Sequence, residues 1–83
     1  MIYEMRTYTL KPGSLDTVEK IFGEALPHRE KYSKLTAFWH TDIGPLNQII
    51  HVWEYTDLND RARVREQAMK DPNWPPKIGE YIV

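Results

Sequence analysis

The sequence predicts an α+β domain: an antiparallel sheet with helices on one face, in the ferredoxin-like split βαβ order. Three observations point there. Strand-like and helix-like segments follow one another as strand, helix, strand, strand, helix. The first strand–helix–strand unit should be right-handed, and the hairpin after it begins the ferredoxin-like pattern. That hairpin, Phe38 to Tyr55, carries large side chains at both parities, so the sheet needs a cover on each face.

Each element has a local cause. Residues 2–10 (IYEMRTYTL) are rich in β-branched and aromatic types and stop at Lys11-Pro12-Gly13, a turn signal. Ser14 suits the cap of a helix, and Asp16 in its first turn complements the dipole. Leu15, Val18, Phe22, Ala25 and Leu26 form one helical stripe. Pro27 then predicts a kink or restart, with His28 to Tyr32 as the last turn. A second strand is expected over 35–42, a turn at Gly44-Pro45-Leu46-Asn47, and a third strand over 48–55. Asp57 caps a second helix reaching about Met69, where Asp71-Pro72 stops it. The fourth strand of the pattern is not visible, and Ile78 to Val83 is the stretch that could supply it.

Composition narrows the class. Eighty-three residues make a single small domain, which needs good packing, a staple or a partner. With no cysteine, neither disulfides nor a thiolate zinc site can be the staple. A formal net charge of −1 gives no positive field to gather phosphates, which argues against a nucleic-acid partner. No apolar run is long enough to span a membrane, and residues 1–6 do not read as a secretion signal, so a cytoplasmic protein is expected. A sheet that is apolar on both faces, in a chain that can cover only one, points to a homodimer.

Parity sorts the strand residues. Met5, Phe38, Ile50 and Val52 suit the underside of the helices; Trp39, Thr41, His51, Trp53 and Tyr55 fall opposite, with Glu4, Arg6 and Tyr8 assigned to them. The second set mixes aromatics with ionisable groups, which suits a sheet-to-sheet interface with a polar interior, or a pocket.

The segments YEMRTYTLKPG, ALPHREKY and FWHTDIGPLNQIIHVWEY, followed by DLNDRARVRE, resemble the NIPSNAP family. The resemblance runs over residues 3–74 and implies a ferredoxin-like protomer in a dimeric α+β barrel. It also implies a further short helix and a last strand, which Pro75-Pro76 would suit as a helix start. The chain would then lack its C-terminal strand. The wider superfamily implies cofactor-free monooxygenase or isomerase chemistry as one route, and no cofactor is expected.

Several constellations carry chemistry. His51 beside Trp53, with Trp39 across the hairpin, could hold a planar ligand and act as a base, or the tryptophans could anchor a dimer. Glu4 and Arg6, with Tyr8 beyond, read as an interfacial ion pair or as an acid/base with an anion clamp. Arg29 falls near the apolar stripe, where a cation must snorkel, pair with an acid or meet an anionic ligand. Arg61, Arg63 and Arg65 form a basic cluster, most of which local pairing explains, since Asp57 and Asp60 stand one turn before Arg61 and Arg63. His28, His40 and His51 have no metal-site spacing, and His40 is expected on the face opposite His51. Two readings follow. One is a small-molecule-binding or cofactor-independent enzyme domain, with Arg6, Tyr8, Arg29, Trp39, His51 and Trp53 about the ligand. The other is an interaction module in which Glu4, Trp39, Trp53 and Tyr55 make a dimer.

Overall fold

A computed structural model describes residues 1–83. Its elements are β1 (Ile2–Thr9), α1 (Leu15–Arg29), β2 (Leu35–His40), β3 (Gln48–Tyr55), α2 (Leu58–Met69) and a short 3₁₀ turn, Gly79–Tyr81. The sheet is antiparallel with order β1-β3-β2, which places the richest strand, QIIHVWEY, in the centre. Both helices pack on the same face. Val18 and Phe22 of α1 share a core with Ile49, and Val64 of α2 packs with Trp53 and Tyr55. The expected α+β architecture is the observed one.

The ends of the elements follow their local chemistry. Asp57 caps α2, its side chain accepting from the Asp60 N–H at 2.7 Å. Ser14 begins α1 without a side-chain cap; its hydroxyl instead donates to the Lys11 carbonyl at 2.6 Å and tightens the turn before the helix. Helix α1 runs through Pro27 to Arg29 without a restart, and residues 30–32 follow as a turn in which the Tyr32 N–H donates to the Arg29 carbonyl at 3.1 Å. In the hairpin turn, Gly44 and Asn47 both take positive φ, which these two residue types tolerate best. Beyond α2, Pro75 and Pro76 start no helix. Residues 79–81 form a single 3₁₀ turn, and Ile82 bridges Leu10 next to the end of β1.

The face assignment is reversed for β1 and β3, whereas Phe38 and Trp39 of β2 lie where it put them, under the helices and on the opposite face. In β1–β3 register Glu4, Arg6 and Tyr8 stand beside Trp53, His51 and Ile49, and Phe38 of β2 also stands beside His51. His51, Trp53 and Tyr55 are buried beneath the helices, and Phe38 shares that side. Met5, Ile50, Val52 and Trp39 occupy the other, open face. Two physical facts cause the difference. Parity relates residues within a strand but does not say which set the helices cover. The loop between β2 and β3 then pairs Phe38 with His51 and Trp39 with Ile50, and a bulge between Leu35 and Ala37 shifts the start of β2. His40 therefore lies on the same side as His51, with its Nδ1 2.6 Å from Glu19 of α1. Trp53 and Tyr55, 2% and 1% exposed, are covered within one protomer and cannot form a sheet-to-sheet contact; Glu4 faces the same way. Of the expected interface residues only Trp39 is on the open face.

Candidate functional site

A cavity of about 330 Å³ lies between the sheet, α2 and the C-terminal segment. Its floor comes from alternate residues of two neighbouring strands, Glu4, Arg6 and Tyr8 from β1 and His51, Trp53 and Tyr55 from β3. Period-2 geometry points all six the same way. Phe22 and Arg29 enter from α1, Arg65 and Met69 from α2, and Trp74, Pro75, Pro76 and Ile78 form the far wall. Five of the six expected ligand-site residues, Arg6, Tyr8, Arg29, His51 and Trp53, thus converge on one space. Trp39, on the opposite face, does not.

His51 sits at the centre of the aromatic floor, 2% exposed. Its ring lies 4.9 Å from Phe22 and 5.1 Å from Tyr8, centroid to centroid. The Trp53 indole Nε1–H donates to His51 Nδ1 at 2.7 Å. An indole N–H can only donate, so Nδ1 must be the accepting, unprotonated nitrogen and the neutral ring carries its proton on Nε2. Nε2 is buried and has no hydrogen-bond partner. Burial, with the Arg6 guanidinium next in effect, pushes the imidazole pKa down to about 4. The candidate base is therefore held as a neutral donor. Its one lone pair is taken by Trp53, and its free edge offers a proton to an acceptor.

Arg29 is 3% exposed, and no carboxylate neutralises it. Its Nη1 donates to the Ser33 hydroxyl at 2.7 Å and its Nη2 to the Tyr55 hydroxyl at 2.8 Å. The guanidinium carbon lies 4.4 Å from the Trp53 ring centroid. Neutral hydroxyls and an aromatic face hold it where the helical stripe would otherwise want an apolar residue. Burial lowers its pKa, and the Tyr55 hydroxyl works against that.

Glu4 belongs to α2 more than to Arg6. Arg61 grips its Oε2 through Nε at 3.0 Å and Nη2 at 2.6 Å, while Arg6 Nη1 is 4.0 Å from Oε1. Burial raises the Glu4 pKa, but the Arg61 hydrogen bonds and the charges of Arg61, Arg6 and Arg65 more than offset it, leaving the carboxyl below its usual range. The Glu4–Arg61 pair ties α2 to β1, and Arg65, one turn further along α2, is carried to the cavity rim. Arg63 pairs with Asp60, as expected from its spacing. Arg61 does not take the local partner that its sequence suggests.

Arg65 and Trp74 were not legible as site residues. Arg65 reads as one member of a surface basic cluster, although its i+4 spacing from Arg61 puts both on one helix face. Trp74 was the available signal in the tail, a lone large aromatic among prolines. Its ring packs edge-on to Phe22 at 5.5 Å and to Trp53 at 6.1 Å. No cluster of three or more His, Cys, Asp or Glu residues could hold a metal ion.

Fold and site together define a small α+β domain whose split βαβ sheet carries an aromatic, guanidinium-rich pocket beneath its helices. The NIPSNAP family model matches residues 3–81, and the chain belongs to that family. It is 38% identical over 79 residues to the NipSnap homolog of Dictyostelium discoideum, covering 95% of this chain and 35% of that protein. It is 36% identical over 73 residues to NipSnap of Drosophila melanogaster, covering 88% and 27%. The chain thus spans roughly a third of the length of the curated relatives it matches. An uncharacterized NIPSNAP domain protein from Burkholderia xenovorans superposes with a TM-score of 0.91 at 36% identity, covering 99% of this chain and 84% of that one. A NIPSNAP family protein with unknown function from Agrobacterium tumefaciens superposes at 0.90, also 36% identical, covering 98% and 78%. No helix is long and apolar enough to cross a membrane.

Proposed function

We propose that this domain is a small-molecule-binding protein that works as a homodimer, with one ligand in the cavity of each protomer. The observation that carries the reading is His51: a donor nitrogen, buried and unpartnered, in the lining of a cavity with aromatic walls. Such a group costs stability unless a partner completes it. A few polar groups converging on an apolar concavity are the usual form of a ligand site, and the volume falls within the range of such sites. The homodimer rests on the open sheet face, where Tyr3, Met5 and Trp39 are 58%, 65% and 46% exposed. These exposed large side chains stand on one face of the sheet, as at an interface.

Cofactor-independent chemistry with His51 as base is disfavoured by the Trp53 hydrogen bond, which occupies the only lone pair of the neutral ring. Native mass spectrometry of gently purified protein tests the proposal. A dimer carrying small-molecule mass that is shed on denaturation is the expected result. A dimer of bare chains would leave only the interaction-module reading, and a monomer would overturn the role given to the open face.

A further inference from the structure

The cavity lining is unbalanced in charge. Arg6, Arg29 and Arg65 all border it against one lining carboxylate, Glu4, whose Oε2 is gripped by Arg61 from outside and whose Oε1 is buried without a hydrogen-bond partner, 4.0 Å from Arg6 Nη1. No carboxylate stands within hydrogen-bond distance of any of the three lining arginines. A buried guanidinium has five N–H donors, and Arg29 spends two of them on Ser33 and Tyr55. Taking such a cation out of water is costly, and an anion brought beside it recovers much of that cost. His51 adds a neutral donor on the same floor.

The walls restrict what kind of anion can enter. Phe22, Trp53, Trp74 and Ile78 are apolar or aromatic, and the volume of about 330 Å³ admits only a compact molecule. Neither α1 nor α2 has its N-terminus in the lining, and only the single 3₁₀ turn at Gly79 starts there, too short to cradle a phosphate with its backbone donors. A polyphosphate would meet tryptophan faces; an organic cation would meet three guanidiniums.

We propose that the pocket takes a small organic monoanion, a carboxylate on a flat apolar body. Its charge sets against Arg6, Arg29 and Arg65, and one of its acceptor oxygens takes the His51 Nε2 proton. The apolar body lies against Trp53 and Trp74. This rests on the pocket being a ligand site and adds the class of ligand.

Isothermal titration calorimetry with three matched probes tests it: phenylacetate, phenylacetamide and phenethylamine. They share a ring and differ in charge. Phenylacetate should bind at least about tenfold more tightly than the amide, the margin expected of charge-assisted over neutral hydrogen bonds, and the amine should bind most weakly. Arg29→Met should bring acid and amide together. Because Arg29 is buried and its loss could unfold the domain, Arg65→Gln on the half-exposed face of α2 serves as the second variant and should narrow the acid-to-amide ratio. Amide binding as tight as the acid, or tighter binding of the amine, would overturn the anionic class while leaving a pocket. Failure of all three probes to bind the folded protein would overturn the pocket reading itself.

Discussion

Trp53 and His51 stand two residues apart on the central strand, and the indole N–H of the first holds Nδ1 of the second at 2.7 Å. Strand geometry makes this possible, because residues at i and i+2 lie on one face. The bond sets the tautomer of a histidine that would otherwise be free to choose, and so sets what the pocket offers a ligand.

Removing the donor should release that choice. Trp53→Phe keeps an aromatic ring but leaves Nδ1 buried without a partner, and should cost about 1–3 kcal/mol of stability. Urea denaturation measures the loss, and nitrogen NMR of the imidazole should show both tautomers. A variant as stable as the parent, with Nε2 still solely protonated, would show that the bond does not control the ring.

Acid should weaken the fold through the same residue. The folded imidazole titrates near pH 4 against an ordinary value of 6.5, so between these limits the unfolded chain binds more protons. Stability is therefore full above about pH 6.5 and is lost as the pH falls toward 4, by roughly 3 kcal/mol at most. Arg6 and Arg29 oppose a charge on His51, Glu4 favours one, and Tyr8, Phe22, Phe38 and Trp53 shield the ring. His51→Gln should flatten the melting-temperature profile across this window. An equally steep profile in the variant would assign the acid sensitivity elsewhere.

Phe22 joins the core under α1 to the cavity, touching Phe38, His51 and Trp74. Phe22→Ala should cost about 3–5 kcal/mol, as large-to-small changes at buried aromatics do, a large part of what a domain of this size has. Chemical denaturation at neutral pH reads it directly. A cost below about 1 kcal/mol would mean that the site collapses around the gap.

On the open face, Trp39→Glu should turn a dimer into a monomer without disturbing the pocket, since Trp39 lines neither the cavity nor the core. Light scattering coupled to size exclusion distinguishes the two states. A variant that stays dimeric would move the interface away from Trp39.

The element order was readable because each element has a strong local cause: the alternating first strand, the Leu15–Leu26 stripe, the Gly44–Asn47 turn and the Asp57 cap. Which face the helices cover was not. On β1 and β3, Met5, Ile50 and Val52 look more like a core than Glu4, Arg6 and His51 do, and a rule that buries apolar residues chooses the wrong side there. The fold places the ionisable set under the helices because cross-chain partners make it tolerable there. Arg61 meets Glu4 across 57 positions, and Arg29 meets Tyr55 across 26. Arg29 itself was legible from its place on the stripe. Trp39 lies on the open face as expected but stands beside Ile50 and not His51, because the β2–β3 register depends on loop length and a bulge that no local pattern announces.

The most direct test is long-range nitrogen NMR of His51 between pH 4 and 8, with and without phenylacetate. The expected result is a ring protonated at Nε2 alone throughout the neutral range, no titration near 6.5, and a displaced Nε2 resonance when phenylacetate is added. A His51 that titrates near 6.5, carries its proton on Nδ1, or ignores phenylacetate would contradict it.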